Sequence, residues 1–135
     1  REILGNNFII GGTANTFDDI KHLLEQKVDY IGLGPFRFTT TKKDLSRVLG
    51  LEGMKTIVEL SAVRPTVPIL AIGGIKLNDI EELIKVGVHG VAVSSAINLA
   101  DDKLAMTEQF LEQLTIHPVN SRPKPEARLF HRANV

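Results

Sequence analysis

Four short apolar runs, separated by segments with helical periodicity, constrain the fold of this chain more than any other feature. The runs are unbroken rather than alternating, which is typical of parallel strands that are buried on both faces by helices. They are residues 7–12 (NFIIGG), 29–35 (DYIGLGP), 67–75 (VPILAIGGI) and 90–97 (GVAVSSAI). Strands alternating with helices predict an α/β fold with a parallel sheet.

The segments between the runs carry helix signals. Thr16 is a suitable N-cap, and Asp19 stands three residues later in the position of a capping box. Asn78 has the same place before the third helical segment. Helices are therefore predicted over residues 16–27, 51–62 and 78–87, and a last helix is expected to begin at Asp101 or Asp102.

The two halves of the pattern echo each other at one constant offset. Asp19 and Ile20 correspond to Asp79 and Ile80, and Val28 corresponds to Val88. A repeated strand–helix–strand unit favours a barrel built from similar quarters over an open sheet. Shared α/β patterning alone would also produce so short an echo.

Composition limits the function classes. The chain has 135 residues, no net charge and no cysteine, so one domain is expected, with no general attraction to nucleic acid or an anionic membrane and no thiol chemistry. The four histidines lack metal-ligand spacing, and no metal site is predicted within these residues. Residues 1–116 are predicted to form the domain, and residues 117–135 a mobile, basic, proline-containing tail.

Small and polar residues stand where the apolar runs end. Thr13 follows a glycine pair, Gly73 and Gly74 close the third run, and Ser94 and Ser95 close the fourth. Ligands of parallel α/β folds gather at the carboxyl ends of the strands, where glycine amides and hydroxyl groups donate to anions. Plain turns explain each feature singly, but together they favour a phosphate or pyrophosphate ligand.

The polar stretch after the second run has no periodicity. It contains Thr39, Thr41, Lys42 and Lys43 within the sequence FRFTTTKKD. A solvated loop is one interpretation, and an anion-binding loop beside the strand ends is the other.

The motifs GGTANT, DYIGLGPFRFTTTKKD, LGLEG, AIGGI and GVAVSSAI, in this order, resemble the C-terminal half of thiamine-phosphate synthases. The resemblance implies a (βα)8 TIM barrel of which only about the last four βα units are present. It implies an enzyme that condenses hydroxymethylpyrimidine diphosphate with hydroxyethylthiazole phosphate, giving thiamine phosphate and pyrophosphate. The cofactor would be Mg²⁺, with ligands in the other half of the barrel, and the location would be the cytoplasm.

By the same resemblance, Lys42 would be the catalytic residue that neutralises the departing pyrophosphate, which Thr13 would contact. The thiazole phosphate would be held by Thr39, Thr41, the Gly74 amide, Ser94 and Ser95. The family often has histidine where this chain has Asn15, and relatives that act as thiazole tautomerases use that histidine, so Asn15 counts against a tautomerase.

Three alternatives stay open at this point: a binding module for thiazole phosphate without chemistry, a tautomerase-like relative, and another phosphate-binding barrel such as a tryptophan-pathway enzyme. The partners expected are small-molecule substrates, with neither nucleic acid nor membrane. A half barrel has two open strand edges, which favour association. We therefore expect the chain to be a fragment that, alone, pairs with another copy or lacks activity.

Overall fold

A computed structural model describes residues 1–38, 47–61 and 67–117 of the chain. Strands and helices alternate along it, as the sequence predicts. The elements are β1 (Gly11–Ala14), α1 (Phe17–Glu25), β2 (Tyr30–Leu33), α2 (Gly50–Ser61), β3 (Ile69–Ile72), a 3-10 turn (Leu77–Asp79), α3 (Ile80–Val86), β4 (Gly90–Ala92), α4 (Ser95–Asn98) and α5 (Lys103–Ile116). Nearly all of the predicted tail lies outside the described residues.

The four strands form one parallel sheet in the order β1-β2-β3-β4. Thr13 pairs with Gly32, Gly32 pairs with Leu70, and Leu70 pairs with Gly90, so each strand lies beside its successor in sequence. The prediction of an α/β fold with a parallel sheet is confirmed. All four strands point the same way, and their carboxyl ends therefore meet at one edge.

One face of the sheet is covered by the helices. Most of its strand residues are buried and join helix side chains in one apolar core. The core includes Ile31, Leu33, Ile69 and Ala71 from the strands and Ile20, Met54, Ile57, Ile80, Leu83 and Phe110 from the helices. Burial of aliphatic side chains of this size provides the main driving force for the fold.

The opposite face, which we call the open face, is incompletely covered. Alternation along the strands and the pairing register assign to it Gly11, Thr13, Tyr30, Gly32, Leu70, Ile72, Gly90 and Ala92. Gly32 and Gly90 are buried, but Thr13 and Ala92 are exposed, and Tyr30 is 40% exposed. The prediction that the strands are buried on both faces is therefore wrong for much of this face.

Helix α1 begins as predicted. The Thr16 hydroxyl accepts a hydrogen bond from the Asp19 N–H at 3.1 Å, and the Asp19 carboxylate accepts from the N–H groups of Asn15 and Thr16, both at 2.9 Å. The bonds from the Asn15 N–H and the Thr16 side chain are the main causes that lower the pKa of Asp19. Asp102 likewise caps α5 by accepting from the Ala105 N–H at 2.9 Å, which confirms the predicted start of the last helix.

The predicted Asn78 cap is wrong. Asn78 lies inside the 3-10 turn, and it is the Asp79 carboxylate that accepts from the Lys76 N–H, at 2.7 Å. The turn places Asp79 three residues beyond Lys76, which is the spacing that a carboxylate needs to reach back to a free backbone N–H. Helix α3 follows and ends at Gly87, whose φ of 106° favours glycine.

The first strand begins and ends later than expected. Gly11 and Gly12 begin β1 instead of ending it, because residues 7–10 make no strand pairing. A side chain at Gly11 would come within 2.2 Å of the Tyr30 ring, and one at Gly12 within 2.4 Å of Leu23. These glycines serve close packing on both faces of the sheet.

No helix in the described part of the chain is long and apolar enough to span a membrane.

Candidate functional site

The carboxyl edge of the sheet collects the segments that the sequence singled out. Asn15 follows β1, residues 34–38 follow β2, Gly73 and Gly74 follow β3, and Ser94 follows β4 by one residue. Parallel strands bring these four segments side by side, so the predicted common edge is confirmed for the described residues. Thr39, Thr41 and Lys42 belong to residues 39–46, which lie outside the described residues.

Thr13 lies within β1, not in a loop beyond it. It pairs with Gly32 and belongs to the open face, where its side chain is exposed. The expectation that the first strand ends at Gly12, with Thr13 directly after it, is therefore wrong. The hydroxyl nevertheless lies one residue before the strand's last residue, so it stands beside the carboxyl edge.

The loop after β2 is tied at both ends to its surroundings. The Phe36 N–H donates to the Ile72 carbonyl oxygen at 2.8 Å, and the Arg37 N–H donates to the Gly73 carbonyl oxygen at 3.0 Å. At the far end the Leu49 N–H donates to the Pro35 carbonyl oxygen at 2.9 Å. These bonds bring the flanks of residues 39–46 together at the end of β3.

Asn15 joins the same two flanks. Its side-chain Nδ2 donates to the Gly34 carbonyl oxygen at 2.9 Å and to the Arg47 carbonyl oxygen at 2.7 Å. One amide group thus binds the first residue after β2 and the first described residue beyond residues 39–46. The sequence predicted only that Asn15 stands where the family often has histidine, and this bracing function was missed because it depends on a contact across 32 positions of the chain.

Arg37 makes an ion pair that the sequence analysis also missed. Its Nη1 lies 2.7 Å from Asp79 Oδ2 and its Nη2 lies 2.8 Å from Asp79 Oδ1, the two-pronged geometry that arginine and carboxylate favour. The Asp79 side chain is 13% exposed and that of Arg37 is 42% exposed. Hydrogen bonding from Arg37 is the main cause that lowers the pKa of Asp79, so the pair is charged at neutral pH.

Gly73 and Gly74 form a turn with left-handed backbone at both positions, with φ values of 86° and 69°. A Cβ at Gly73 would lie 2.8 Å from the Pro35 Cα, and one at Gly74 would lie 2.8 Å from the Arg37 Cβ. Both conformation and space therefore require glycine here. Among the described residues the Gly74 N–H has no hydrogen-bond acceptor, so it is available to a ligand.

Ser94 and Ser95 are exposed. They lie beyond the fourth strand, which does not extend to Ile97 as predicted. Strand β4 stops at Ala92, and Ser94 precedes the short helix α4, with its carbonyl oxygen accepting from the N–H groups of Ile97 and Asn98. The Ser94 hydroxyl also accepts from Asn98 Nδ2 at 3.2 Å. The predicted strand is therefore too long, because these serines satisfy helix donors instead of strand partners.

A metal would need additional ligands to bind here. In the ranges that the structure describes, no three histidine, aspartate or glutamate side chains come close enough together to hold a metal ion. The acidic groups at the edge are already engaged, since Asp19 caps α1 and Asp79 binds Arg37. These residues do not by themselves fit a Mg²⁺ site.

Comparisons with known proteins agree with this arrangement. The family model described as thiamine monophosphate synthase matches residues 1–97. A thiamine-phosphate synthase of Phocaeicola vulgatus is 54% identical over 112 residues, covering 82% of this chain and 54% of the relative, and one of Flavobacterium johnsoniae is 50% identical over 115 residues, covering 84% and 54%. The chain therefore spans about half the length of these curated relatives.

Solved structures give the same result. A thiamine phosphate pyrophosphorylase from Pyrococcus furiosus superposes with a TM-score of 0.72 at 34% identity, covering 86% of this chain and 52% of that one. A 3-hexulose-6-phosphate synthase from Salmonella typhimurium, at 19% identity and a TM-score of 0.56, shares the fold alone. The match over residues 1–97 and the identity to named relatives show that this chain belongs to the thiamine monophosphate synthase family.

Proposed function

We propose that this chain supplies one half of the active site of a thiamine-phosphate synthase. The reaction is the condensation of hydroxymethylpyrimidine diphosphate with hydroxyethylthiazole phosphate, which yields thiamine phosphate and pyrophosphate. The observation that carries the proposal is the 54% identity to a thiamine-phosphate synthase over 112 residues, which cover 82% of this chain. Binding of two anionic substrates also suits an edge with exposed hydroxyl groups and an available Gly74 N–H.

The architecture that goes with this function is half of a (βα)8 barrel. Four parallel strands in sequential order and an incompletely covered open face support it. In the complete barrel, β1 and β4 would each gain a further strand, and the open face would line the interior.

The roles proposed for individual residues follow the family motifs. Thr13 contacts the pyrophosphate from the open face, and Lys42 neutralises the charge that develops on it. The thiazole phosphate is held by Gly74, Thr39, Thr41, Ser94 and Ser95. The exposed positions of Thr13, Ser94 and Ser95 along one edge support the part of this assignment that the described residues carry.

The chemistry needs charge stabilisation and positioning more than proton transfer. The C–O bond between the pyrimidine methylene and the diphosphate breaks, and its electron pair leaves with the pyrophosphate. The lone pair of the thiazole nitrogen then forms the new C–N bond to the resulting carbocation. An ammonium group beside the leaving group and backbone donors that hold the second substrate lower the barrier without accepting a proton.

Mg²⁺ remains part of the proposal as the family's cofactor, and when bound it would add positive charge beside the pyrophosphate. The described residues contain no suitable acidic cluster, so the ligands of Mg²⁺ would have to come from elsewhere. The lack of such a cluster in the described residues favours a second candidate function for the isolated chain, a module that binds thiazole phosphate without catalysing its condensation.

A tautomerase is disfavoured because Asn15 has no titratable group and its amide is engaged with two carbonyl oxygens.

The partners proposed are small-molecule substrates in the cytoplasm, a reducing compartment that suits a chain without cysteine. Strands β1 and β4 each have one edge that pairs with no other strand among the described residues, and such edges support self-association of the isolated chain. Sedimentation velocity would reveal a concentration-dependent dimer, and a strictly monomeric chain would rule this association out.

An activity assay and a binding titration together test the proposed function. We expect the 135-residue chain to produce no thiamine phosphate as a monomer, but to bind hydroxyethylthiazole phosphate and pyrophosphate in calorimetry. Lys42→Ala should weaken pyrophosphate binding, whereas Lys43→Ala, which removes the same charge one residue away, should have a smaller effect. Equal effects of the two substitutions would contradict a specific role for Lys42, and binding of neither anion would refute the proposal.

A further inference from the structure

Arg37 connects the loop after β2 to the glycine turn after β3 through both its backbone and its side chain. The Arg37 N–H donates to the Gly73 carbonyl oxygen at 3.0 Å, and Arg37 Nη1 donates to the Gly74 carbonyl oxygen at 2.7 Å. Both carbonyl groups of the turn are therefore fixed by one residue. A peptide plane whose carbonyl is held in this way has the direction of the next N–H held as well.

The guanidinium is itself fixed from a second direction. Asp79 accepts from Nη1 and Nη2 at 2.7 and 2.8 Å, and it also accepts from the Lys76 N–H at 2.7 Å. The guanidinium carbon lies 4.9 Å from the centre of the Phe36 ring, a favourable cation–π distance. The connection thus runs from the start of α3 through Asp79 and Arg37 to the glycine turn.

The turn has no side chains with which to hold its own shape. Gly73 and Gly74 have φ values of 86° and 69°, and atoms of Pro35 and Arg37 occupy the space where their Cβ atoms would lie. Since glycine is the most flexible residue, the neighbouring loop must supply the rigidity. We propose that Arg37 is a positioning residue which, braced by Asp79, holds the Gly73–Gly74 turn in the conformation that binds a phosphate group.

This inference rests on the proposed function, because it assigns the glycine turn to phosphate binding. It adds Arg37 and Asp79 as residues that support the site without contacting the ligand. The alternative is that Arg37 binds the anion itself. The geometry disfavours the alternative, since both Nη atoms already donate to Asp79 and the opposite charges of the pair largely cancel at a distance.

The two possibilities predict opposite effects of one substitution. Asp79→Asn releases Arg37 from its carboxylate: if Arg37 only positions the turn, the affinity for phosphate falls, but if Arg37 binds the anion directly, the affinity rises. The experiment is calorimetric titration of the 135-residue chain with inorganic phosphate and with hydroxyethylthiazole phosphate. Glu81→Gln is the matched control, because it removes the carboxylate of an exposed ion pair with Lys85 on the adjoining helix.

We expect Asp79→Asn and Arg37→Lys each to weaken hydroxyethylthiazole phosphate binding about tenfold, the effect of losing one charge-assisted hydrogen bond. Glu81→Gln should stay within about twofold of wild type. Arg37→Lys keeps the charge but loses the two-pronged geometry, so retained affinity in that variant would overturn the positioning role. Tighter or unchanged binding by Asp79→Asn would overturn it too.

A readout without ligand separates this inference from the proposed function. The amide resonances of Gly74 and Ile75 in nuclear magnetic resonance spectra should shift in Asp79→Asn and Arg37→Lys but not in Glu81→Gln, since the guanidinium holds the carbonyl of the peptide that joins these two residues. If the wild-type chain binds neither phosphate compound, the proposed function fails for this chain, and the resonances alone decide whether Arg37 fixes the turn. Gly74 and Ile75 resonances that are both the same in wild type and a folded Asp79→Asn variant would overturn the inference.

Discussion

Replacement of Asn15 by alanine should loosen the loop after β2 without unfolding the protein. The Asn15 amide makes two hydrogen bonds, at 2.9 Å to the Gly34 oxygen and at 2.7 Å to the Arg47 oxygen. A neutral hydrogen bond contributes about 0.5–1.5 kcal/mol net, and the bond to Arg47 is exposed to water, so we expect the pair to contribute about 1–2 kcal/mol to closure of the loop.

Amide hydrogen exchange measures that closure directly. The Leu49 N–H donates to Pro35 and the Gly50 N–H donates to Phe36, so both amides are protected only while the far flank of the loop is docked. A loss of about 1–2 kcal/mol in the local opening free energy should accelerate their exchange about 5- to 30-fold. The amide of Ile31, inside the sheet, should change only with global stability.

Two further variants sharpen this test. Asn15→Asp has the same shape but presents an oxygen in place of the donor, so it should accelerate exchange at Leu49 at least as much as alanine does. Asn78→Ala is the control, because Asn78 is an exposed asparagine whose side chain makes no hydrogen bond within the described ranges. Exchange at Leu49 and Gly50 within twofold of wild type in Asn15→Ala would refute the bracing function, as would uniform acceleration of every amide.

Three other predictions concern stability. The pKa of Asp79 in the folded protein lies below its ordinary value, chiefly through hydrogen bonding from Arg37. The pair therefore stabilises the protein above about pH 4 and loses this effect as the pH falls through the lowered pKa. In urea titrations at pH 7 the free energy of unfolding of Asp79→Asn should be about 1–2 kcal/mol below that of wild type, and this difference should narrow below pH 4. Thr16→Ala removes the α1 cap and should lower the free energy of unfolding by about 1 kcal/mol, whereas no loss would mean that the cap is dispensable. Gly34→Ala would place a Cβ 2.3 Å from the Ile72 carbonyl oxygen and should lower the free energy of unfolding by about 1–3 kcal/mol. Gly90→Ala should lower it less, because the nearest atom to its Cβ would be 3.5 Å away. Equal melting temperatures of the two variants would contradict this packing.

Local sequence signals predicted the elements well and their ends less well. The Thr16 and Asp102 caps are confirmed because a cap depends on residues three positions apart. The first strand was placed too early because a glycine pair normally ends a strand, whereas here Gly11 and Gly12 admit Tyr30 and Leu23. Such packing is decided by residues from other elements, which no local pattern contains.

In the site, too, the sequence predicted the positions of residues better than the contacts between them. Topology alone brought Thr13, Gly74 and Ser94 to one edge, since parallel strands share their carboxyl ends. The groups that fix the geometry of that edge, Asn15 and Arg37, act through contacts 32 and 42 residues apart in sequence. A motif read along the chain identifies residues near a ligand more readily than the residues that hold them in place.

Asp79 combines a capping bond with its ion pair to Arg37, and comparison with Asp19 shows how both are accommodated. Asp19 and Asp79 hold equivalent places. Oδ2 of Asp19 accepts from two backbone N–H groups and Oδ2 of Asp79 from one, in each case at the start of a helical segment, and each aspartate precedes a fully buried isoleucine. Capping needs only one carboxylate oxygen, and the second is left for another donor. At Asp79 that oxygen accepts from Arg37, a residue of the loop after the neighbouring strand. Asp79 is therefore a carboxylate that its capping bond holds in place and whose remaining oxygen binds the Arg37 guanidinium.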